Sequence, residues 1–178
     1  APGSDQVIDA IAYRGDAKWG AWLLQMANSG KLSFSEAVCA ALACEARVPG
    51  WTVDHLPQVL KTEPWRLRPV GNRGSNLELA RWLAEHYEEY AEVGKGGWYN
   101  LNKILVACGD DATFGRLLVR FPAMSSQAQE TIGYAVVERG EPWIARFQVV
   151  AFSSGYSKAH HKLAETPSLG IDDSTARR

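Results

Sequence analysis

The chain has 178 residues, 46% of them hydrophobic, and its 19 Lys and Arg residues nearly balance its 20 Asp and Glu residues. A domain of this size buries about 68–70% of the surface that its unfolded chain exposes, so it folds without a disulfide or a structural metal. A net charge of −1 predicts neither a nucleic-acid-binding nor a membrane-surface protein. Partners must therefore be inferred from local features.

The cysteines and the distribution of apolar residues indicate a reducing cellular compartment. Cys39, Cys44 and Cys108 form no CxxC pair, and buried, reduced thiols are expected, which argues against a disulfide-built secreted scaffold. No apolar run reaches the roughly 20 residues of a membrane-spanning helix, and no signal peptide is visible. We expect a soluble, cytoplasmic protein with no membrane contact. The first four residues, APGS, read as a cloning remnant, which leaves open whether a leader was removed.

Apolar residues recur at the i, i+3, i+4, i+7 spacing that places them on one face of a helix. In chain order the groups are Trp19, Trp22, Leu23 and Met26; Leu101, Ile104, Leu105 and Cys108; Phe114, Leu117, Leu118 and Phe121; Ala128, Ile132, Ala135 and Val136; and Ile144, Phe147 and Ala151. They predict a compact, irregular, all-α array of roughly nine short helices packed as antiparallel hairpins. The domain is expected to span residues 5–166, and residues 167–178 to form a flexible tail.

Capping residues predict where several helices begin and end. Ser33 and Glu36 form a capping box, in which each side chain accepts a free amide of the first turn. The helix that follows, from about Phe34 to Ala46, contains AVCAALAC, which is apolar on every face and predicts a central, buried position. Further N-caps are expected at Ser75, Asp111 and Ser126, and left-handed helix ends at Gly30, Gly94 and Gly140. The run ARFQVVAF, residues 145–152, is assigned to a helix, with a buried strand as the alternative.

The succession of tightly linked helix pairs from Leu32 to Phe152 resembles HEAT-like α-solenoids, whose repeats run to about 40–47 residues. No internal sequence repeat accompanies this architecture. The resemblance implies recognition of a protein or a nucleic acid on a concave face, and it implies no specific function.

The segment EPWRLRPVGNRGSN, residues 63–76, is the first candidate site. Its candidate residues for an anion or a nucleic acid are Trp65, Arg66, Arg68 and Arg73, together with Arg81 on the next helix. Its prolines and glycines predict an irregular loop, and guanidinium groups beside a helix N-terminus suit phosphate or carboxylate. The alternative is a surface loop whose arginines pair with carboxylates, Glu63 and the following acidic helix among them.

The second candidate site is that acidic helix, expected from Asn76 to Val93, with the aromatic segment GKGGWYN after it. The candidate partner-binding residues are Glu85, Glu88, Glu89, Glu92, Trp98 and Tyr99. An acidic ridge with exposed aromatics could bind a basic protein. The alternative is an ordinary solvated face with local ion pairs between Arg81 and the carboxylates of Glu78 and Glu85.

The seven tryptophans divide into two groups by their surroundings. Trp19, Trp22, Trp82 and Trp143 fall within predicted helices and are expected in the core, whereas Trp51, Trp65 and Trp98 lie near Gly or Pro and could be exposed anchors.

Catalytic and metal motifs are missing from the sequence. HExxH, GxSxG, the phosphate-binding loop and the dinucleotide fingerprint do not occur, and the adjacent His160 and His161 diverge by about 100° on a helix. We predict no cofactor and no metal. The first hypothesis is therefore a protein-binding module, in its most specific form an immunity or antitoxin protein that inhibits a bacterial toxin. The others are a nucleic-acid-binding or nucleic-acid-processing protein, and an enzyme for a small anionic substrate. The sequence does not give the oligomeric state.

Overall fold

The computed structural model describes residues 4–46, 55–74, 76–91 and 97–156, and within these ranges every regular element is a helix. The all-α prediction is confirmed. The eleven α-helices of these ranges are α1 (Ser4–Arg14), α2 (Gly20–Asn28), α3 (Phe34–Ala43), α4 (Leu56–Thr62), α5 (Arg68–Arg73), α6 (Leu77–Glu85), α7 (Tyr87–Ala91), α8 (Gly97–Cys108), α9 (Asp111–Arg120), α10 (Ser126–Arg139) and α11 (Trp143–Ser153). Short 3₁₀ helices cover Ala17–Trp19, Pro64–Leu67 and Phe121–Ala123.

The apolar helix α3 lies at the centre of the N-terminal half, as its composition predicts. Every residue from Ala37 to Cys44 is at most 3% exposed, and α3 packs against α1, α2 and α5. Small alanine side chains let these neighbours approach closely while still burying apolar surface. The helix ends at Ala43 rather than at Ala46, because Glu45 has the positive φ of 60° that ends a helix.

The C-terminal half is organised around α8, which packs against α5, α6, α9 and α10. Leu101, Ile104 and Leu105 are at most 2% exposed on this helix, and Phe114, Phe121 and Phe147 are fully buried nearby. Residues 145–152 lie within α11, so their assignment to a helix is confirmed. Of the two β-branched side chains in this run, Val150 packs against the core, whereas Val149 is 68% exposed.

The positions of the caps differ from the predicted ones by one residue. Asp110 and Ser125, not Asp111 and Ser126, accept the free amides of α9 and α10, because their extended backbones aim the side-chain oxygen at the amide three residues on. At α6 the cap is Asn76, and the predicted Ser75 lies outside the described residues.

The predicted capping box at α3 is wrong. Ser33 stands at the N-cap position, but its side chain accepts no amide there. The Glu36 carboxylate accepts a hydrogen bond from Arg66 instead of turning back to the start of the helix. A charged donor from another helix replaces the local amide, because a bond between two charged groups is stronger.

Two glycines end helices as predicted. Gly30 and Gly140 have φ values of 70° and 84° and follow α2 and α10, while Gly94 lies outside the described residues. Two of the tryptophans predicted to be in the core are instead about one-third exposed: Trp19 and Trp22 pack edge to face, with ring centroids 5.6 Å apart.

Across residues 4–46, 55–74, 76–91 and 97–156, none of the helices has the length and apolar character needed to cross a membrane.

Candidate functional site

The first candidate site, residues 63–76, which we call the arginine segment, is helical over Pro64–Leu67 and Arg68–Arg73, not the irregular loop that its prolines and glycines predict. Pro64 opens a 3₁₀ helix, and Pro69 lies in the first turn of α5, where a missing amide costs no hydrogen bond. Gly71 lets α8 approach, since an added Cβ would lie 3.3 Å from the side chain of Lys103. Gly74 then ends α5 with a φ of 65°. Proline here begins helices, and glycine lets them pack and end.

Arg66 is held by carboxylates of its own chain. Its Nε donates to Glu63 at 2.9 Å and its Nη1 to Glu36 at 2.9 Å, while the hydroxyl of Ser35 donates to Glu63 at 2.8 Å. The hydrogen bond from Arg66, and after it that from Ser35, lowers the pKa of Glu63. We call Glu36, Glu63 and Arg66 the Arg66 clamp. Its guanidinium group already has two carboxylate partners, so it is poorly placed to bind an external anion.

The structure separates Arg81 from the other predicted anion-binding residues. Arg81 donates from Nε and Nη2 to Asp110 at 3.0 and 2.7 Å, and not to Glu78 or Glu85 as helix spacing predicts. The amide of Thr113, and after it Arg81, lowers the pKa of Asp110. Arg81 therefore links α6 to the start of α9.

Of the five predicted anion-binding residues, three lie around one cleft between α1, α3 and the arginine segment. Trp65 and Arg66 are joined there by Arg68, whose side chain is exposed. The side chain of Arg73 lies outside what the structure describes. The structure thus brings Trp65, Arg66 and Arg68 to one cleft and places Arg81 elsewhere, against Asp110.

The acidic helix is two helices, not the single one predicted from Asn76 to Val93. The break is at His86, between α6 and α7. The backbone carbonyl of Trp82 accepts the His86 amide and also lies 2.9 Å from its ring nitrogen Nδ1, and the two rings stack with centroids 4.2 Å apart. The ring of His86 thus adds a second contact to the Trp82 carbonyl where α6 ends, and α7 starts at Tyr87.

Arginines of α9 face the acidic ridge. Arg116 lies 4.0 Å from Glu85, and Arg120 donates to Glu88 at 2.6 Å. Glu89 is exposed and forms no ion pair within the described parts of the chain, whereas Glu92 lies outside them. The side chains of Trp98 and Tyr99 also lie outside what the structure describes. The predicted acidic ridge is therefore partly neutralised by a neighbouring helix, which sequence spacing did not reveal.

A groove of about 630 Å³ runs beside the outer face of α6, and we call it the acidic groove. The residues that line it are Glu45, Asn76, Leu77, Glu78, Arg81, Trp82 and Glu85. Asn76 fixes the walls of the groove. Its side chain accepts a hydrogen bond from the amide of Leu79 and donates one to the carbonyl of Leu42, both at 3.0 Å. Leu77 is 37% exposed, so the groove combines acidic and apolar surface.

Sequence reasoning missed Glu45 and Leu77 as members of this site. Glu45 follows the buried run of α3, and the packing of α6 against the end of α3 brings it to the groove. No spacing along the chain relates Glu45 to Glu85. Leu77 is the first residue of α6 and is 37% exposed at the groove.

The described residues offer no group of three or more His, Cys, Asp or Glu side chains that could hold a metal ion. Cys39, Cys44 and Cys108 are buried, as predicted, and none forms a disulfide. Burial raises the pKa of the Cys39 thiol to about 12, so this thiol is protonated at neutral pH and is a poor nucleophile.

Comparisons with known proteins add no functional information, and the HEAT-like resemblance stays a prediction. No protein-family model, no curated protein and no solved structure matches this chain.

Proposed function

We propose that this chain is a protein-binding helical module whose acidic groove binds a basic segment of another protein. The observation that carries the proposal is the composition of the groove. Glu45, Glu78 and Glu85 line it together with the exposed Leu77, and the one guanidinium group among its described lining residues, that of Arg81, is bound to Asp110. A cleft lined mainly by one sign of charge attracts the opposite sign.

The groove suits an arginine or lysine side chain that is next to an apolar residue. A guanidinium group offers five donors in a planar fork that matches carboxylates, and its stem can pack on apolar surface. Leu77 and the half-buried Trp82 supply that surface. Charge gives the complex its orientation and association rate, while the apolar contacts contribute to its lifetime.

In its most specific form, the proposal is an immunity or antitoxin protein that inhibits a bacterial toxin. A toxin that cleaves nucleic acid must carry a basic surface for its substrate. An inhibitor with carboxylates in a fixed groove can cover that surface by presenting the same sign of charge. The Arg66 clamp supports protein over nucleic acid as the partner, because its guanidinium group is already occupied.

The test is capture from the native lysate at low and high salt, with and without nuclease, followed by mass spectrometry. Three forms are compared: the unmodified chain, the variant Glu45→Gln/Glu78→Gln/Glu85→Gln, and the control Glu130→Gln/Glu138→Gln/Glu141→Gln. The control makes the same charge change on and beside α10, away from the groove.

We expect a basic protein that survives nuclease, that the control retains, and that the groove variant loses by about tenfold or more, since a charge-assisted bond contributes about 1.5–3 kcal/mol. Equal capture by the groove variant would contradict the proposal. Loss of the captured material on nuclease treatment would point to nucleic acid instead.

A further inference from the structure

A second cleft, of about 300 Å³, lies between α1, α3 and the arginine segment, and we call it the N-terminal cleft. Its floor is apolar, since Ile8, Ala12 and Ala40 are 4%, 3% and 2% exposed. Two aromatic side chains at its rim are unusually exposed: Tyr13 at 53% and Trp65 at 58%. The cleft thus offers a small apolar surface beside aromatic rings.

Two unpaired charges of opposite sign line the same cleft. Asp9 on α1 and Arg68 at the start of α5 are both exposed, and neither forms an ion pair among the described residues. They differ in this from Arg66, which lines the same cleft but is paired with Glu36 and Glu63 in the Arg66 clamp. A ligand that carries both charges can meet both groups.

We propose that the N-terminal cleft binds a small zwitterion with an apolar side chain, an amino acid or a dipeptide. Its ammonium group bonds to Asp9, and its carboxylate receives the planar fork of Arg68. Its apolar side chain covers the floor formed by Ile8, Ala12 and Ala40. The volume lies at the lower end of the range for small-molecule sites, about 300–1,000 Å³, which suits one or two amino-acid residues.

The charges around the cleft argue against a polyanion such as a nucleotide. The guanidinium groups that line it, Arg66 and Arg68, are matched by the carboxylates of Asp9 and Glu36. Glu63 adds a further negative charge behind Arg66. Of the described residues that line the cleft, only Arg68 is left to receive an anion, so one carboxylate fits and a triphosphate does not. This site is separate from the acidic groove, and the proposal does not rest on the proposed function.

The experiment is isothermal titration calorimetry of the full chain with five probes. L-phenylalanine and glycyl-phenylalanine carry both charges, phenethylamine carries only the cation, 3-phenylpropionate carries only the anion, and inorganic phosphate tests for a simple anion site. The variants are Asp9→Asn and Arg68→Gln. The controls are Glu89→Gln on α7 and Arg116→Gln on α9, neither of which lines this cleft. Thermal unfolding checks that Asp9→Asn and Arg68→Gln fold like the unmodified chain, which is expected because neither residue has an ion-pair partner in the described parts of the chain.

We expect at least one zwitterion to bind about tenfold more tightly than either half-ligand, because each charge adds a charge-assisted bond. Asp9→Asn should weaken phenethylamine and the zwitterion but leave 3-phenylpropionate unchanged, and Arg68→Gln should weaken 3-phenylpropionate and the zwitterion but leave phenethylamine unchanged. Whichever zwitterion binds more tightly reports the spacing of the two charges. The proposal is overturned if neither zwitterion gives a heat of binding, if phosphate binds more tightly than both, or if the two variants behave like the controls.

Discussion

The arginine segment and the pair α6–α7 are close in the chain, and each carries a cluster of charge, but the fold neutralises the two clusters differently. In the Arg66 clamp one guanidinium group, 27% exposed, bonds to two carboxylates, and that of Glu36 is only 14% exposed. Around α6–α7 the ion pairs are single and open to solvent; Glu85 and Glu88 are 60% and 73% exposed. Ion pairs formed by the same residue types thus differ greatly in access to water.

This difference separates a structural cluster from an exchangeable one. An exposed ion pair contributes about 0–1 kcal/mol, so a partner can replace one of its members at little cost. Removing one member of a shielded pair leaves the other charge poorly solvated, which costs considerably more. The clamp therefore fastens the arginine segment to α3, whereas the exposed ion pair of Glu85, at the acidic groove, can be exchanged at little cost.

The largest expected effect on stability comes from a substitution at Gly74, where the arginine segment meets α6. Gly74 lies between α5 and α6 with a positive φ, and an added Cβ would lie 2.9 Å from the backbone oxygen of Ala107. Gly74→Ala should lower the free energy of unfolding by about 2–3 kcal/mol, from strain plus the contact with a rigid backbone. Gly30→Ala, with equal strain but open space, should cost about 1 kcal/mol. Urea denaturation measures both; equal losses would refute the contribution of the contact.

Breaking the clamp should have the next largest effect. Arg66→Leu leaves Glu36 and Glu63 without their cation, and we expect a loss of about 2 kcal/mol, below the 3–5 kcal/mol of a fully buried pair because the clamp is partly exposed. Arg68→Gln is the control, two residues away and without an ion pair among the described residues, and should change stability by less than about 0.5 kcal/mol. Similar urea midpoints for the two variants would show that the clamp is not structural.

A smaller effect is expected at Asp110, which joins the exposed cluster to the cap of α9. Asp110→Ala removes the acceptor of the Thr113 amide and should cost about 1 kcal/mol at neutral pH, while Asp110→Asn keeps a capping oxygen and should cost less. The folded pKa of Asp110 is depressed, so its stabilisation is complete above pH about 4 and is lost as pH falls. Neither variant has this titrating carboxyl group. Between about pH 4 and pH 2, the free energy of unfolding of both should therefore fall less steeply than that of the unmodified chain. Denaturant titrations that give the same fall for all three proteins would contradict this account.

The smallest effect on stability should come from the arginines that face the acidic ridge. Arg116→Gln/Arg120→Gln should change the free energy of unfolding by less than about 1 kcal/mol, since both ion pairs are exposed. The same change frees Glu85 and Glu88, and should therefore strengthen binding of an arginine-rich peptide several-fold at low salt, with a smaller gain at high salt. Arg14→Gln/Lys31→Gln, which also removes two positive charges from exposed residues, is the charge-matched control. Weaker peptide binding by the double variant would contradict the exchangeable character of this cluster.

Sequence patterns predicted the parts of the fold that depend on neighbouring residues. The 3.6-residue period of Leu101, Ile104 and Leu105 and the uniformly apolar run in α3 identified buried helical faces, and both are confirmed. Helix starts were within one residue at Asp110 and Ser125, because a cap acts over three residues of chain. The site was less predictable: Glu63, three residues from Arg66, was named as a possible ion-pair partner of the arginines, but Glu36, 30 positions away, was not.

By itself, the sequence determined that this protein is helical, where its core helices lie and which segments carry concentrated charge, because hydrophobic periodicity and composition are local properties. Tertiary structure alone decided which charges are free. Arg66 meets Glu36 across 30 positions, Arg81 meets Asp110 across 29, and Arg120 meets Glu88 across 32. Such pairs depend on which helix faces pack together, and hydrophobic burial, not the charges, sets that packing. The charges available for binding are those left over once the core has formed.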